Sequence, residues 1–248
     1  MLKEKANVQA RNAEGYGVLH FSIANPYTDV MARLVAAGAR VNMRSTKTGA
    51  TPLHIAAKEG HLEAVQWLVA HGADLNPRDK SGRTAVMLAL ESNQGILAKM
   101  MLTKGAAVGH SDKDGNSALH LAAARGQADI AQLLISKRAK VNARNRQGMT
   151  PLLLSAREYP ELAQVLIANG ADVRVADSAG VTALHLTQSI PFAALLIDNG
   201  AQVSVIDAFG DTPLSNAIVG GYGDLADLLV QKARRSIQNL RTRITRFT

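Results

Sequence analysis

Histidine is the residue type of this chain best suited to bind a metal ion or to act as a general base, and there are seven histidines. Four of them close the similar tetrads GVLH, TPLH, SALH and TALH, at intervals of 34, 66 and 65 residues: His20, His54, His120 and His185. Each therefore belongs to a separate copy of one local unit. Stacked copies would hold the four rings too far apart to share one ion, so we expect no metal site. The other three are interpreted as ordinary surface or loop residues: His61, His71 and His110.

Other patterns that could indicate catalysis have simpler explanations. The run at 220–223, GGYG, lacks the preceding strand and the following Gly-Lys-Ser/Thr of a phosphate loop. Asp112 and Asp114 lie in a predicted turn, where aspartate is common. Without cysteine the chain has no thiolate nucleophile, disulfide or cysteine metal site. We expect no enzymatic activity, no cofactor and no small-molecule substrate.

The elements that position the histidines are clearest in residues 51–76, TPLHIAAKEGHLEAVQWLVAHGADLN. Thr51 followed by Pro52 predicts a helix start, since the hydroxyl can accept an unpaired amide and proline needs no amide partner there. Gly60 and Gly72 predict two helix stops, and apolar residues recur at helical spacing before each. A helix pair of this size cannot bury its own apolar face, so it needs neighbours on both sides.

The unit recurs seven times along the chain. The glycines that precede the helix starts lie at intervals of 34, 33, 33, 33, 32 and 30 residues: Gly15, Gly49, Gly82, Gly115, Gly148, Gly180 and Gly210. A hydroxyl residue stands at the helix start in six of the seven copies. The sixth copy is three residues short, and its sequence around Pro191 predicts almost no loop between its two helices.

The period of 33 residues, the stretch TPLHIAAKEGHLEAVQWLV and the ending GADLN resemble the ankyrin repeat, from about residue 6 to 233. The resemblance implies an all-α ankyrin-repeat solenoid of antiparallel helix pairs, with β-hairpin-like finger loops at one edge. It also implies that His20, His54, His120 and His185 are structural and form hydrogen bonds between neighbouring repeats. We expect a partial preceding repeat in 1–14, the seven-repeat stack in 15–233, and a basic amphipathic helical extension in 234–248.

The resemblance further implies protein binding through the fingers and the concave face of the first helices. The leading hypothesis is a non-catalytic scaffold for protein–protein interaction. Because basic residues predominate at these positions in repeats two to five, we expect a partner with an acidic or mixed-charge surface. The candidate contact residues are Lys47, Lys58, Lys80, Arg83, Arg125, Arg146, Met149, Arg157, Val181 and Phe209.

The C-terminal segment 231–248 holds six of the 28 lysines and arginines and no acid, while the rest of the chain holds 22 bases and 20 acids. Apolar residues continue at spacings of three and four and predict one helix from about Asp224 to Arg246. One interpretation is a cap over repeat seven. The alternatives are binding to an anionic membrane or to nucleic acid, or docking to a neighbouring domain. The arginines concerned are Arg234, Arg235, Arg241, Arg243 and Arg246.

The chain begins inside a repeat, with Met1 and Leu2 at the position of a last helical turn. Two interpretations stay open, a piece or targeting module of a longer protein and a native start with half a repeat. The first residues lack the apolar core of a signal peptide, and no apolar run approaches the ~20 residues of a membrane span. We expect a soluble protein, cytoplasmic by default. The absence of cysteine and the abundance of alanine are compatible with a bacterial origin.

Overall fold

The computed structural model describes residues 7–24 and 28–244, and over this range the chain forms fourteen helices in seven antiparallel pairs. The first helices of the pairs are α1 (Val18–Ser22), α3 (Pro52–Glu59), α5 (Ala85–Glu91), α7 (Ala118–Ala124), α9 (Pro151–Ser155), α11 (Ala183–Leu186) and α13 (Pro213–Val219). The second helices are α2 (Thr28–Ala36), α4 (Leu62–Ala70), α6 (Gly95–Thr103), α8 (Ala128–Ser136), α10 (Pro160–Ala168), α12 (Ile190–Asp198) and α14 (Gly223–Ile244). First helices pack against first helices and second against second. The all-α solenoid class is confirmed.

The helix boundaries follow from the residues at each end. Helix α3 begins after Thr51 and has Pro52 in its first turn. It ends at Gly60, whose φ of 84° is left-handed and whose N–H donates to the Ala56 carbonyl at 3.1 Å. The same kind of start recurs at Thr84, where Oγ1 accepts a bond from the Met87 amide at 3.3 Å. The helix start and stop expected at Thr51 and Gly60 are both observed.

The loop before each first helix is a finger, shaped by one Asp or Asn side chain in six of the seven repeats. Asp112 Oδ1 accepts bonds from the Asp114 amide at 2.9 Å and the Asn116 amide at 2.7 Å. Five other fingers have the same turn at the same position, built on Asn12, Asp79, Asn145, Asp177 and Asp207. The Asp112 carboxylate thus closes a turn, as the sequence predicted.

Neighbouring fingers are joined by a ladder of backbone hydrogen bonds, one bond at each of the six junctions. The Lys47 amide donates to the Glu14 carbonyl at 3.1 Å, and the Lys80 amide donates to the Thr48 carbonyl at 2.7 Å. The remaining donors, at 2.8–2.9 Å, are Lys113, Arg146, Ser178 and Ala208. Arginine side chains brace the ladder by donating to a carbonyl of the next finger from Arg11, Arg44, Arg78 and Arg144.

The core lies between the two helical layers and consists mainly of alanine and leucine. Ala56 and Ala57 of α3 are completely buried, as are Ala122 and Ala123 of α7. Such small side chains let neighbouring first helices approach closely, and leucines such as Leu68 fill the space beneath them. The core therefore needs few aromatic rings, which agrees with an aromatic content of 4%.

Repeat six differs from the sequence prediction. We expected its deletion to remove the loop between the helices, but the first helix is shortened instead: α11 has four residues, against eight in α3. Thr187 leaves the helix in an extended conformation (φ −74°, ψ 143°), and residues 187–189 form the connection to α12. Ser189 Oγ then accepts the Phe192 amide at 3.4 Å, with Pro191 in the first turn of α12. The prediction was wrong because Ser189 and Pro191 define the start of α12. The second helix therefore keeps its nine residues, and the first helix is shortened.

The last helix, α14, has 22 residues, against nine in each other second helix. It continues past the usual helix end by about 20 Å at 1.5 Å per residue. Ile218 of α13 is 63% exposed. Within the described ranges, none of the helices combines the length and apolar character needed to cross a membrane.

Candidate functional site

We call the surface made by the first helices and the fingers the inner face. Most of the sequence-predicted contact residues are exposed on it: Lys47, Lys58, Lys80, Arg125, Arg146, Arg157 and Phe209. Phe209 is 79% exposed, which is unusual for a large apolar ring. Three others are only partly exposed: Arg83, Met149 and Val181. Seven of the ten predicted contact residues are therefore accessible on this face, and three are partly covered.

The four tetrad histidines each join two repeats. His54 Nδ1 accepts the Thr51 amide at 3.1 Å, and its Nε2 lies 3.1 Å from the Arg83 carbonyl in the next finger. His20, His120 and His185 make the equivalent pair of contacts, with their Nε2 atoms 3.1–3.3 Å from the carbonyls of Ala50, Met149 and Asp211. A nitrogen that accepts an amide carries no proton, so the other nitrogen must donate and the ring is neutral.

Burial changes the acid–base behaviour of these rings. The pKa values of His20, His54 and His120 are lowered from the usual 6.5, chiefly because burial disfavours the charged imidazolium. A proton added at Nδ1 would also point at the backbone N–H that this nitrogen accepts, which further disfavours the charged ring. These three rings are therefore neutral connectors at neutral pH.

Arg83 belongs to a network of charged groups within repeat three. Its guanidinium lies 2.9 Å from Asp79 Oδ2 and 3.2 Å from Glu91 Oε2. The Asp79 side chain is 5% exposed and also accepts the Ser81 and Arg83 amides. Burial raises the pKa of Glu91, although Arg83 acts in the opposite direction. Arg83 thus neutralises two carboxylates of its own repeat.

Other predicted contact residues also have structural partners. Arg125 Nη2 donates to the Glu91 carbonyl at 2.7 Å and so links α5 to the end of α7. Lys47 Nζ lies 2.8 Å from Glu14 Oε1, but both side chains stay largely exposed. The Met149 side chain is partly buried against the core, and the Val181 amide donates to Asp177 Oδ1 at 2.9 Å.

A pocket of about 410 Å³ lies on the inner face and spans repeats one to three. We call it the aromatic furrow, defined by Tyr16, Phe21, Ile55, Lys58, Arg83 and Leu88. Two of the predicted contact residues, Lys58 and Arg83, meet there. Tyr16 Oη lies 3.2 Å from Thr48 Oγ1, and the Tyr16 ring is edge-on to Phe21 with centroids 6.3 Å apart.

Other predicted residues lie in separate pockets. Arg146 lines one of about 350 Å³ with Leu121 and Leu154, between repeats four and five. Arg157 lines one of about 290 Å³ with Tyr222 and Val219, between repeats five and seven. The inner face is therefore a row of distinct pockets, and the predicted residues do not converge on one site.

Sequence reasoning missed Tyr16, Phe21 and Val219. The repeat register contained the signal for two of them, because Phe21 occupies the position held by Leu88 in repeat three and Val219 occupies the position of Lys58. Val219 is 87% exposed and Phe21 is 59% exposed. Val219 is a bulky apolar residue where repeat two has a lysine, and Phe21 is an exposed ring where repeats three to six have leucine.

Within the two described ranges, 7–24 and 28–244, there is no group of three or more His, Cys, Asp or Glu side chains that could hold a metal ion. Arg234 and Arg235 are exposed on α14, which also includes Arg241 and Arg243. Arg246 lies outside the described residues, as do Met1 and Leu2.

Comparison with known proteins gives a match along most of the chain. A family model described as "Ankyrin repeats (3 copies)" matches residues 1–79, 19–112, 87–177 and 152–239. The chain is also similar to the ARF GTPase-activating protein GIT2 of Mus musculus, with 35% identity over 81 residues, which are 33% of this chain and 11% of that protein.

Two further relatives match over similar lengths. The tyrosine-protein kinase Shark of Drosophila melanogaster is 36% identical over 94 residues, covering 38% of this chain and 10% of the kinase. Ankyrin repeat and SOCS box protein 6 of Mus musculus is 37% identical over 82 residues, covering 33% of this chain and 20% of that protein. The matches thus span about a tenth to a fifth of the relatives' own lengths.

Proposed function

Since the chain belongs to the ankyrin-repeat family, we propose that it is a non-catalytic binding module whose inner face recognises an acidic or mixed-charge surface of another protein. Repeats of this family generally mediate protein–protein interaction. The observation that carries the proposal is the backbone ladder of the fingers, together with the exposed bases presented on it.

The ladder supports binding because it fixes the main chain before a partner arrives. Lys47, Lys80, Lys113 and Arg146 hold the same ladder position in four consecutive fingers, and each uses its amide to bond the preceding finger. Their backbones are therefore ordered while their side chains reach the surface. Preorganisation of this kind lowers the entropy that association must overcome.

The charge of this row favours a partner with carboxylates. The finger position that directly follows this row is acidic in two repeats, at Glu14 and Asp114. The finger tips therefore carry both charges, with bases in excess. Opposite charges across an interface raise the association rate and select against basic partners. Lys58 and Arg157 add exposed bases on the first-helix side of the same face.

The test uses a partner isolated by affinity capture and then purified, so that a dissociation constant can be measured. The double variant Lys80→Glu with Arg146→Glu should weaken binding by about tenfold or more, since like charges then meet across the interface. Lys99→Glu on α6 is the matched control, because Lys99 is an exposed lysine of the other helical layer. Equal affinities of the wild type and the double variant would contradict the proposal.

A second candidate function concerns α14, which carries Arg234 and Arg235 exposed and continues well beyond the stack. A basic helix of this kind supports binding to an anionic surface. The full chain and its Arg234→Gln, Arg235→Gln, Arg241→Gln, Arg243→Gln variant would be compared on phosphatidylserine vesicles and on duplex DNA. Binding that is absent, or unchanged in the variant and by salt, rules this function out.

A further inference from the structure

The aromatic furrow has an aromatic wall of two rings, Tyr16 and Phe21. Phe21 is 59% exposed beside the pocket, whereas the same register in repeats three to six holds Leu88, Leu121, Leu154 and Leu186. The Tyr16 ring, held by Thr48 and edge-on to Phe21 at an interplanar angle of 79°, supports this wall. A fixed aromatic surface next to a cavity gains much from being covered by another apolar group.

The floor of the furrow is apolar and continuous with the wall. Ile55 of α3 and Leu88 of α5 lie along it, and Leu88 is 4% exposed. A volume of about 410 Å³ is within the range of ~300–1,000 Å³ that holds ligands in proteins. The furrow therefore has the shape and lining to take a bulky apolar side chain.

The charges around the furrow favour carboxylates on the ligand. Arg83 already binds Asp79 and Glu91, so these acids are neutralised within the repeat. Glu59 also lines the furrow, where its side chain is half exposed and its Oε2 lies 3.3 Å from His61 Nε2. Lys58 lines the furrow and is exposed. Lys80 is exposed on the finger of repeat three, and Lys47 on the finger of repeat two is paired with Glu14.

We propose that the aromatic furrow anchors a partner segment in which an aromatic or large aliphatic side chain is flanked by carboxylates. The apolar side chain lies against Phe21, Ile55 and Leu88, and the carboxylates meet Lys58 and the finger lysines. The inference rests on the proposed function of the inner face and names the type of peptide that this part of it recognises.

The experiment selects ligands for the full chain from a phage-displayed library of random dodecapeptides. Enriched peptides should carry a large apolar residue next to Asp or Glu. Their synthetic forms should bind the Phe21→Ser and Lys58→Glu variants about tenfold more weakly than the wild type, as expected when an interface anchor or its charge is removed. Phe21→Leu restores the residue type of repeats three to six and should keep much of the affinity, and Lys99→Glu should keep all of it. Circular dichroism checks that each variant is folded.

The outcomes separate this inference from the broader proposal. Peptides without the apolar-acidic pattern, peptides that bind Phe21→Ser as well as the wild type, or a failure to enrich any peptide would overturn the furrow assignment. If the enriched peptides instead lose affinity only for the Lys80→Glu, Arg146→Glu variant, the inner face still binds protein while the furrow does not. Peptides unaffected by any of these inner-face substitutions would contradict both.

Discussion

His54 Nε2 lies 3.1 Å from the carbonyl oxygen of Arg83, and this contact joins the first helix of repeat two to the finger of repeat three. The same ring accepts the Thr51 amide on its other side. One buried neutral imidazole thus closes its own helix start and holds the next repeat in register. This double role explains why a histidine at this position needs no catalytic or metal-binding function.

Replacing His54 by methionine should destabilise the protein. Met87 occupies the same position in repeat three, so the side chain fits this register, but both hydrogen bonds are lost. The unpaired Arg83 carbonyl and Thr51 amide should lower the free energy of unfolding by about 1–3 kcal/mol. Urea unfolding followed by circular dichroism measures the change. His110→Leu, in a finger, should have little effect, and equal losses in both variants would contradict this role of His54.

Stability should fall in mild acid because buried histidines must take up protons on unfolding. The folded-state pKa values of His20, His54 and His120 are lowered from 6.5 by burial, so below pH 6.5 the unfolded chain binds more protons than the folded chain. The stabilisation is complete above that pH and is lost as pH falls toward the folded-state values. Each ring changes the free energy of unfolding by at most about 1.4 kcal/mol per pH unit.

Urea midpoints at pH 7.5 and 5.5 test this dependence. The wild type should unfold at lower urea concentration at pH 5.5. The His54→Met variant has one titrating ring fewer and should lose less stability over the same interval. A variant with the same pH dependence as the wild type would show that His54 does not contribute.

The finger ladder can be tested at Gly115. Its φ is +84°, and an added Cβ would lie 3.0 Å from Asn145 Cα and 3.1 Å from the Arg146 nitrogen, both backbone atoms of the next finger. Gly72 is the matched control, with φ +82° and open space around the added Cβ. Both alanine variants carry left-handed strain of about 1–2 kcal/mol, but Gly115→Ala should cost about 1–3 kcal/mol more through crowding.

Hydrogen exchange of the Arg146 amide provides a local readout of the same change. That amide donates to the Asp114 carbonyl at 2.8 Å, and it should exchange faster in Gly115→Ala than in Gly72→Ala. Equal protection in the two variants would mean that the close approach of the fingers does not hold the ladder.

Arg83 should be needed for folding more than for binding. The Arg83→Met variant leaves the Asp79 carboxylate, 5% exposed, without its cation, and should lower the free energy of unfolding by about 1–3 kcal/mol. Lys47→Met breaks an ion pair whose two side chains are 65% and 48% exposed and should change thermal unfolding very little. Thermal unfolding of both variants at one salt concentration compares them, and equal stability would contradict the structural role of Arg83.

The helix pairs and finger turns could be predicted because their determinants are local. Thr51, Pro52 and Gly60 act on the turn that contains them, and a repeated pattern shows that neighbours must stack. The exposed faces were harder to predict. Whether Arg83 meets solvent or two carboxylates depends on Glu91, eight residues further along, and the aromatic furrow brings together side chains from three repeats.

Repeat six illustrates the limit of a length argument. Counting residues showed that repeat six is three residues short. It did not show that the missing residues come from α11, because that depends on whether the helix start at Ser189 or the end of the first helix is kept. Similarly, Phe21 looked like one more apolar residue of a first helix until its surroundings were known. Register within the repeat identifies such residues only when the exposure of each position is also known.

The shortened α11 has a consequence for how such chains change over time. Thr182, His185 and the Asp211 carbonyl keep the contacts seen in full-length repeats although three residues are missing nearby. The three-residue deletion is thus taken up within repeat six, and the junction with repeat seven keeps its histidine contact. A change of length in one repeat can therefore alter one part of the inner face without disturbing the junction beside it.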